Sequence, residues 1–406
     1  MPNHEAKLQH LSPEQLEALY REYLKGEKIA LLLQRYNLDI APGSLIKALP
    51  PVPCAGLTCP YCKTSLYQRP KCRTAQSSKE LLAFCKTCDH RHYFASPSNW
   101  RCECTCRPCQ ASRTRVHQEQ AVEQRKRVRE HWSITRKNPI SLQSLSITHR
   151  LQMMAMLQVR MDVRHNCLGA ADHAVGDLRV SPSQAMDSTI LQALHEKQLL
   201  LVDPESPLEA FSRDQPPKAW QSKVRWLSNV SLDGQRRASP AQLYRALHSS
   251  LLEGPRRHWH DEIIDCVQAL CVEELCTYLA AQCAAHGLPW ESARRASEAA
   301  ARLLQVHSVQ RACCLADAAL QGALTFIARH QVSKAHAAST IAGCMLALSE
   351  QAVREQWLLT PPQNAPRGAR SSLNQALFGV LLKQTDHGLE QPPAAYTALL
   401  AGRADP

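Results

Sequence analysis

Cysteine residues are concentrated in one short part of the 406-residue chain. Of the 18 cysteines, ten lie between Cys54 and Cys109, and the other eight are scattered from Cys167 to Cys344. Apolar packing gives no reason to gather so many thiols in one stretch, whereas thiolates are strong ligands for metal ions. The distribution therefore predicts a metal-binding module in this part of the chain.

Two C-x2-C pairs form the clearest ligand set, Cys59-Pro-Tyr-Cys62 and Cys85-Lys-Thr-Cys88. Each such turn directs two sulfur atoms to one point, so two turns supply a tetrahedral set for Zn²⁺ with Zn–S distances of about 2.3 Å. The apolar residues Leu81, Leu82 and Phe84 predict a strand that leads into the second pair. The arrangement resembles a zinc ribbon, which implies a small β module around a structural zinc ion.

A second ligand set follows at Cys102, Cys104, Cys106 and Cys109. Cys106 and Cys109 form a third C-x2-C turn, and Cys104 is the best third ligand. These spacings predict a second Zn²⁺. The sequence does not decide which residue is the fourth ligand, because the geometry is awkward if all four donors come from so short a stretch. The alternatives are Cys102, Cys54 or Cys72 folding back, His90 and His92.

Both predicted sites are closed, which favours a structural role over catalysis. A catalytic zinc keeps an open position for water, and four thiolates leave none. The H-x-E and P-C-x-x-C signature of zinc deaminases is absent from the sequence, as are the G-x-x-x-x-G-K-[ST], G-x-S-x-G and H-E-x-x-H motifs. We therefore expect no enzyme activity.

The charge and hydropathy of the chain indicate a polyanionic partner and a cytoplasmic location. The formal net charge is +12, and the isoelectric point is near 9.0. This balance suits nucleic acid first and an anionic membrane surface second. No run of 18 consecutive apolar residues is present, and the N-terminal residues lack the apolar core of a signal peptide. We expect a cytoplasmic chain with no membrane association and with reduced cysteines.

Three short helices are predicted over residues 12–49. Ser12 suits an N-cap and Pro13 the first helical position. The segment YLKGEKIALLLQRYNLDIAPGSLIKAL resembles the helix-turn-helix of bacterial DNA-binding proteins. The resemblance implies DNA contacts at the third helix. Candidate contacts in the helices and the cysteine-rich segment are Ser44, Lys47, Arg69, Lys71, Arg73 and Arg91.

The rest of the chain is predicted to be mainly helical, since aromatic residues make up only 5% and Ala and Leu recur at helical spacing. Residues 111–139 form a basic helical connector. Residues 140–235 contain a helix followed by strands at 198–203 and 224–230, which is similar to a winged helix. Residues 236–406 form an α-helical bundle with a loosely held tail.

The predicted organisation is therefore a helix-turn-helix (1–53), a zinc-ribbon-like module (54–110), the connector, a winged-helix-like domain and the helical bundle. This layout resembles zinc-ribbon DNA-binding proteins of the bacterial accessory genome, which implies a regulatory DNA-binding protein. The alternative is a protein-interaction scaffold, or a component of a mobile-element or anti-phage defence system. In either case the C-terminal helices can bind a protein partner or self-associate.

Overall fold

The computed structural model describes residues 7–73, 82–94, 103–171, 178–290, 293–368 and 371–401. It confirms the mainly helical class, with small sheets in addition. The contacts divide the chain into two compact units, Met1–Glu123 and Gln124–Pro406. This division is coarser than the five segments expected from the sequence, and each unit is described by itself below.

The N-terminal unit begins with three helices, α1 (Pro13–Leu24), α2 (Ile29–Arg35) and α3 (Leu45–Ala48), the last entered through a 3-10 turn. Ser12 and Gln15 cap α1 reciprocally, each side chain accepting a hydrogen bond from the other's backbone N–H. The three helices bury a common core that includes Leu19, Leu32 and Leu45.

The turn after α2 depends on one left-handed residue. Asn37 has φ 50°, a conformation that asparagine adopts more readily than most residues. The backbone N–H of Leu38 then donates to the carbonyl of Leu33 at 2.8 Å, which closes the helix end. The closure directs Leu38 into the core, so the turn joins α2 to the segment that carries α3.

A four-stranded antiparallel sheet follows, in the order β1 (Val52–Thr58), β2 (Ser65–Gln68), β3 (Leu82–Phe84) and β4 (Arg91–Tyr93). Strand β3 lies where the sequence predicts a strand leading into the second C-x2-C pair. The apolar core of this ribbon is small. Its buried members are Cys59, Leu66, Ala83 and Cys85. So small a core cannot by itself offset the conformational entropy lost on folding.

Helix α4 (Arg107–His131) leaves the ribbon and continues across the boundary between the two units. Val128 is its one buried residue among those described. The rest is polar, and residues with good helix propensity such as Arg, Gln and Glu account for its formation.

The second unit starts with short strands around two helices. Strand β5 (Ile140–Ser141) precedes α5 (Ile147–Arg160), and the hairpin β6 (Met161–Asp162) and β7 (Cys167–Leu168) follows. Helix α6 (Gln184–Glu196) leads into β8, and the chain returns through β9 and β10. The last three strands span Leu200–Val202, Trp226–Ser228 and Val230–Ser231.

These strands form an antiparallel sheet in the order β6-β7-β9-β8 and a parallel pair, β10 with β5. Leu201 pairs with Leu227, so the two strands predicted at 198–203 and 224–230 are direct neighbours. The hairpin of β6 and β7 was not predicted, because two-residue strands carry no alternating pattern.

Helices α7 to α13 complete the second unit. Their bounds are Pro240–Leu252, His260–Ala285, Ala293–Leu303, Val309–His330, Lys334–Arg354, Ser372–Asn374 and Pro393–Ala401, with α12 continuing as a π-helical stretch over Gln375–Leu381. Among the described residues, α10 (Val309–His330) is long and apolar enough to cross a membrane by length and composition. It packs against α8 and α11 with Ala312, Ala316 and Leu320 buried, so packing accounts for its composition.

The expectation of a loosely held tail is wrong for residues 393–401. Tyr396 and Leu400 of α13 are buried, and the Tyr396 hydroxyl donates to the Asp386 carboxylate. The two aromatic rings of Tyr396 and Phe378 meet edge to face at 5.2 Å. Tyr396 therefore packs residues 393–401 into the fold, although the sequence had predicted a loosely held tail there.

Candidate metal centre

Two similar turns build the first cluster of cysteines. Cys59 directly follows β1, and Cys85 directly follows β3. Each turn ends on a left-handed residue, Lys63 (φ 60°) or Asp89 (φ 53°). The backbone N–H groups of Cys59 and Cys85 donate at 2.8 Å to the carbonyls of Thr64 and His90 respectively, which closes both turns.

These turns bring four sulfur atoms together. The Sγ atoms of Cys59, Cys62, Cys85 and Cys88 all lie within 4.8 Å of one another. The Sγ atoms of Cys59 and Cys88 are 3.5 Å apart. Tetrahedral zinc with four thiolates requires sulfur separations of about 3.8 Å, as calculated from the usual Zn–S distance. The spacing of the thiols therefore fits a metal ion at their centre.

The second cluster joins one histidine to three cysteines. His90 Nδ1 lies 3.3 Å from Cys109 Sγ and 3.8 Å from Cys106 Sγ, and Cys104 completes the group. A zinc ion bound to one imidazole and one thiolate separates the two donor atoms by about 3.6 Å. Cys106 and Cys109 lie at the start of α4, where the partial positive charge of the helix favours thiolates.

Seven of the eight cysteines in the two predicted ligand sets lie in these two clusters. Cys102 lies outside the described residues. Cys54 belongs to neither cluster: it sits half-buried on β1 and packs beside the apolar core of the ribbon. His90 takes the fourth position instead. The turn after Cys88 positions it, and the Cys88-Asp-His90 spacing was the signal that could have singled it out from the alternatives.

The other open alternatives are engaged elsewhere. The Cys72 thiol is exposed and lies 3.1 Å from the Tyr23 hydroxyl. The His92 ring contacts Phe94 edge to face at 5.1 Å. Neither residue belongs to a metal-ligand cluster among the described residues.

The first cluster also supplies groups that contact the second. Tyr61 lies between Cys59 and Cys62 in sequence, and its hydroxyl is 3.2 Å from Cys109 Sγ. Its ring meets the His90 ring edge to face at 5.4 Å. The backbone N–H of Arg91 donates to Cys104 Sγ at 3.1 Å. Correct geometry at the second cluster therefore depends on the turns of the first.

The thiols of the first cluster differ in acidity because their burial and hydrogen bonds differ. Burial acts to raise the pKa of Cys85, but hydrogen bonds from Thr64 and from the N–H groups of Cys88 and Thr87 lower it to about 6. Burial and hydrogen bonds with neighbouring thiols raise the pKa of Cys88. Without a metal ion, a cluster of close thiols cannot ionise fully, since like charges repel. A bound cation removes that repulsion and displaces the remaining protons.

In the second cluster, burial and hydrogen bonds again shift the pKa values of the thiols in opposite directions. Burial opposes ionisation of Cys104, but N–H groups of Arg91 and Cys106 outweigh it, and the pKa is lowered. Burial raises the pKa of Cys106 to about 11. Burial and His92 lower the pKa of His90, which keeps its imidazole neutral and able to bind a metal. Thiolates with an imidazole are donors suited to Zn²⁺.

The six candidate nucleic-acid contacts all belong to the N-terminal unit. Lys47 is exposed on α3, and Ser44 is half-buried in the turn before it. Arg69 and Lys71 are exposed after β2, and Arg91 is exposed on β4.

The segment after β2 is fixed against α1. The Tyr20 hydroxyl accepts from the N–H of Lys71 at 2.8 Å. Arg73 donates from its guanidinium to the carbonyl of Glu27 at 2.8 Å and stacks over the Tyr23 ring at 5.0 Å. Arg73 therefore holds the ribbon segment and the helices together, which accounts for its charge without a nucleic acid.

Comparison of the chain with family models, with curated proteins and with solved structures finds no match.

Proposed function

We propose that the chain is a cytoplasmic, zinc-containing DNA-binding protein with a regulatory role, in which two Zn²⁺ ions are structural. The observation that carries the proposal is the joining of three short helices to a cysteine ribbon within one unit, with exposed basic residues on both. The two four-donor clusters favour structural zinc, because every tetrahedral position is taken by a protein ligand.

The helices support DNA binding through the order of α2, the turn at Asn37 and α3. Burial of Leu32, Leu38 and Leu45 fixes α3 against the other helices. Lys47 is exposed on α3, which the proposal takes as the recognition helix. Arg69 and Lys71 add positive charge from a segment that contacts α1, and such residues favour phosphate.

The second unit offers weaker support through α6, β8 and β9. A helix followed by two antiparallel strands is the order found in winged helices. The connection between the strands, residues 203–225, is longer than a short wing. We include this domain in the proposal as a second surface that can contact DNA.

The test is the affinity for duplex DNA over a range of salt concentrations, measured by fluorescence anisotropy on the full chain loaded with zinc. Lys47→Ala, Arg69→Ala and Lys71→Ala should each lower affinity and reduce the slope of log affinity against log salt by about one. Arg245→Ala, an exposed arginine on α7, is the matched control and should change neither. Affinity that does not respond to salt would overturn the proposal.

A second candidate, an interaction scaffold, is favoured by apolar side chains exposed near the end of α11. Val353, Trp357 and Leu358 are 51%, 39% and 94% exposed. If this surface mediates self-association, Leu358→Ser should lower the mass measured by light scattering, while Leu252→Ser on α7 should not. A monomeric mass measured for the unsubstituted chain would exclude self-association.

A further inference from the structure

A groove of about 380 Å³ lies in the second unit, where α4 and α6 end. Its walls include His131, Trp132, Lys137, His195 and Gln198, and the edge strand β8 contributes Leu201. The volume falls within the range of about 300–1,000 Å³ typical of sites for small molecules. The metal clusters and the six candidate DNA contacts belong to the other unit, and the proposed function gives this groove no ligand.

The aromatic side chains of the groove are held in place before any ligand arrives. The Trp132 indole N–H donates to the Pro217 carbonyl at 3.2 Å. His195 bonds through Nδ1 to the Leu200 carbonyl at 3.0 Å, and its ring meets the buried Trp226 ring edge to face at 5.1 Å. The Trp132 and His195 rings are 6.3 Å apart. Fixed rings of this kind present flat surfaces without an entropic cost of ordering them.

One buried side chain joins the chain segments that form the groove. Asn229 is fully buried, and its amide donates at 3.0 Å to the carbonyls of Asn138, which follows the lining residue Lys137, and of Gln198, which lines the groove. The Asn229 oxygen accepts from Arg237 Nε at 2.8 Å. Arg237 in turn donates to the Ile134 carbonyl at 2.8 Å. The groove is therefore a preformed feature of the fold rather than a gap between mobile loops.

The charges of the groove favour a neutral ring over an anion. Lys137 and Glu196 both line it, and their charges oppose each other. Helices α4 and α6 both end there, and the partial negative charge of a helix C-terminus disfavours a buried phosphate. Lys137 and the adjacent Arg136 are exposed, so an anionic group attached to the ring could remain outside the groove near them.

We propose that this groove binds a nucleobase, with the ring against Trp132 and His131 and any attached phosphate outside, near Lys137. Aromatic and histidine rings are the usual stacking partners of unpaired bases. The Gln198 amide and the Glu196 carboxylate provide hydrogen-bonding groups for the edge of the base. The base can come from a free nucleoside or from an unpaired strand. The proposal does not depend on DNA binding by the N-terminal unit.

The test is calorimetric titration of the full chain with adenosine, AMP and inorganic phosphate. Adenosine and AMP should bind with similar affinity, and phosphate alone should not bind in this groove. Trp132→Ala should weaken adenosine binding roughly tenfold to a hundredfold, the usual effect of losing a stacking ring. Trp132→Phe keeps a ring and should weaken it much less. Trp220→Ala removes an exposed tryptophan outside the groove and should change nothing.

A second variant separates loss of binding from loss of folding. Gln198 has φ 59°, which asparagine tolerates, so Gln198→Asn shortens the amide without straining the backbone. It should weaken adenosine binding while circular dichroism and the unfolding temperature stay unchanged. A single-stranded oligonucleotide that binds more tightly than adenosine, with the gain lost in Trp132→Ala, would identify the strand as the source of the base.

The proposal would be overturned in either of two ways. In the first, the folded, unsubstituted chain binds neither adenosine nor AMP nor the oligonucleotide at millimolar concentration. In the second, these ligands bind to the folded Gln198→Asn, Trp132→Phe and Trp132→Ala chains with the same affinity as to the unsubstituted chain.

Discussion

At the residue scale, His90 takes part in both metal clusters. Its imidazole Nδ1 approaches Cys106 and Cys109, its carbonyl closes the turn at Cys85, and its ring contacts Tyr61. One residue thus links the two clusters by three different kinds of contact. Replacement of the side chain removes the ligand and the ring contact but leaves the backbone bond.

We expect His90→Ala to lower the metal content of the purified chain from about two zinc ions to about one, since three thiolates with no fourth donor bind zinc weakly. His90→Cys restores a fourth donor and should retain both ions. Elemental analysis of protein purified without added metal gives the count. His92→Ala and Cys54→Ser are the controls and should keep two ions. Loss of an ion from Cys54→Ser would contradict the assignment of His90.

Gly388 offers a sharp test of packing in the helical unit. Its φ is 79°, and a Cβ at this position would overlap the ring of the buried Phe378. Gly388→Ala should lower the free energy of unfolding by about 2–4 kcal/mol, through overpacking and left-handed strain.

The control is Gly322→Ala in the exposed middle of α10, where a Cβ would meet nothing within 4 Å. This change should be neutral or stabilising by about 0.5–1 kcal/mol, because alanine favours the helix. Urea unfolding of both variants gives the comparison. A similar stability for the two variants would show that the Phe378 ring can move aside.

At the scale of elements, the second metal cluster depends more on the first than the first depends on the second. The first cluster is built by turns that follow β1 and β3, and these same turns position Tyr61, His90 and Arg91 at the second. In the other direction, the second cluster contributes the backbone carbonyl of His90, which closes the turn at Cys85. That bond does not involve the metal-ligating side chains, and Cys106 and Cys109 at the start of α4 belong to neither turn of the first cluster.

Double substitutions should therefore have unequal effects. Cys59→Ser with Cys62→Ser should remove both metal ions, whereas Cys106→Ser with Cys109→Ser should remove about one and leave the other. Elemental analysis distinguishes these outcomes, and Cys72→Ser with Cys54→Ser is the matched pair that should remove none. If each ligand pair cost a single ion, the clusters would be independent.

Sequence predicts these elements well where the signal is local. The three C-x2-C spacings identified six cysteines of the two clusters, the neighbouring Cys104 was the predicted third ligand of the second set, and the Ser12-Pro13 signal placed the start of α1. His90 was one alternative among several, because its role depends on where the turn after Cys88 directs the chain. The hairpin of β6 and β7 gave no pattern, and the anchoring of Tyr396 depends on Asp386 and Phe378, which only the tertiary fold brings near.

At the scale of the whole molecule, the two units differ in what stabilises them. The second unit has a large apolar core, and the ribbon of the first has a core of four residues, two of which are metal-cluster cysteines. The boundary at Glu123 lies inside α4, and a continuous polar helix carries no sequence signal for such a division.

A chelator should therefore unfold one part of the chain selectively. Hydrogen exchange measured by mass spectrometry should show loss of protection in residues 54–110 after metal removal, and unchanged protection in α8, α10 and α11. Readdition of Zn²⁺ should restore the original pattern. Equal loss of protection in both units would mean that the metal ions stabilise the whole chain.

The small core of the ribbon also bears on the life of the chain in a cell. Because Cys59 and Cys85 are at once core residues and cluster members, the ribbon has little apolar packing left when no metal is bound. A newly synthesised chain in a cell starved of zinc would carry folded C-terminal helices beside a protease-sensitive N-terminal segment. Metal supply would then set the abundance of the protein by controlling how long each copy survives.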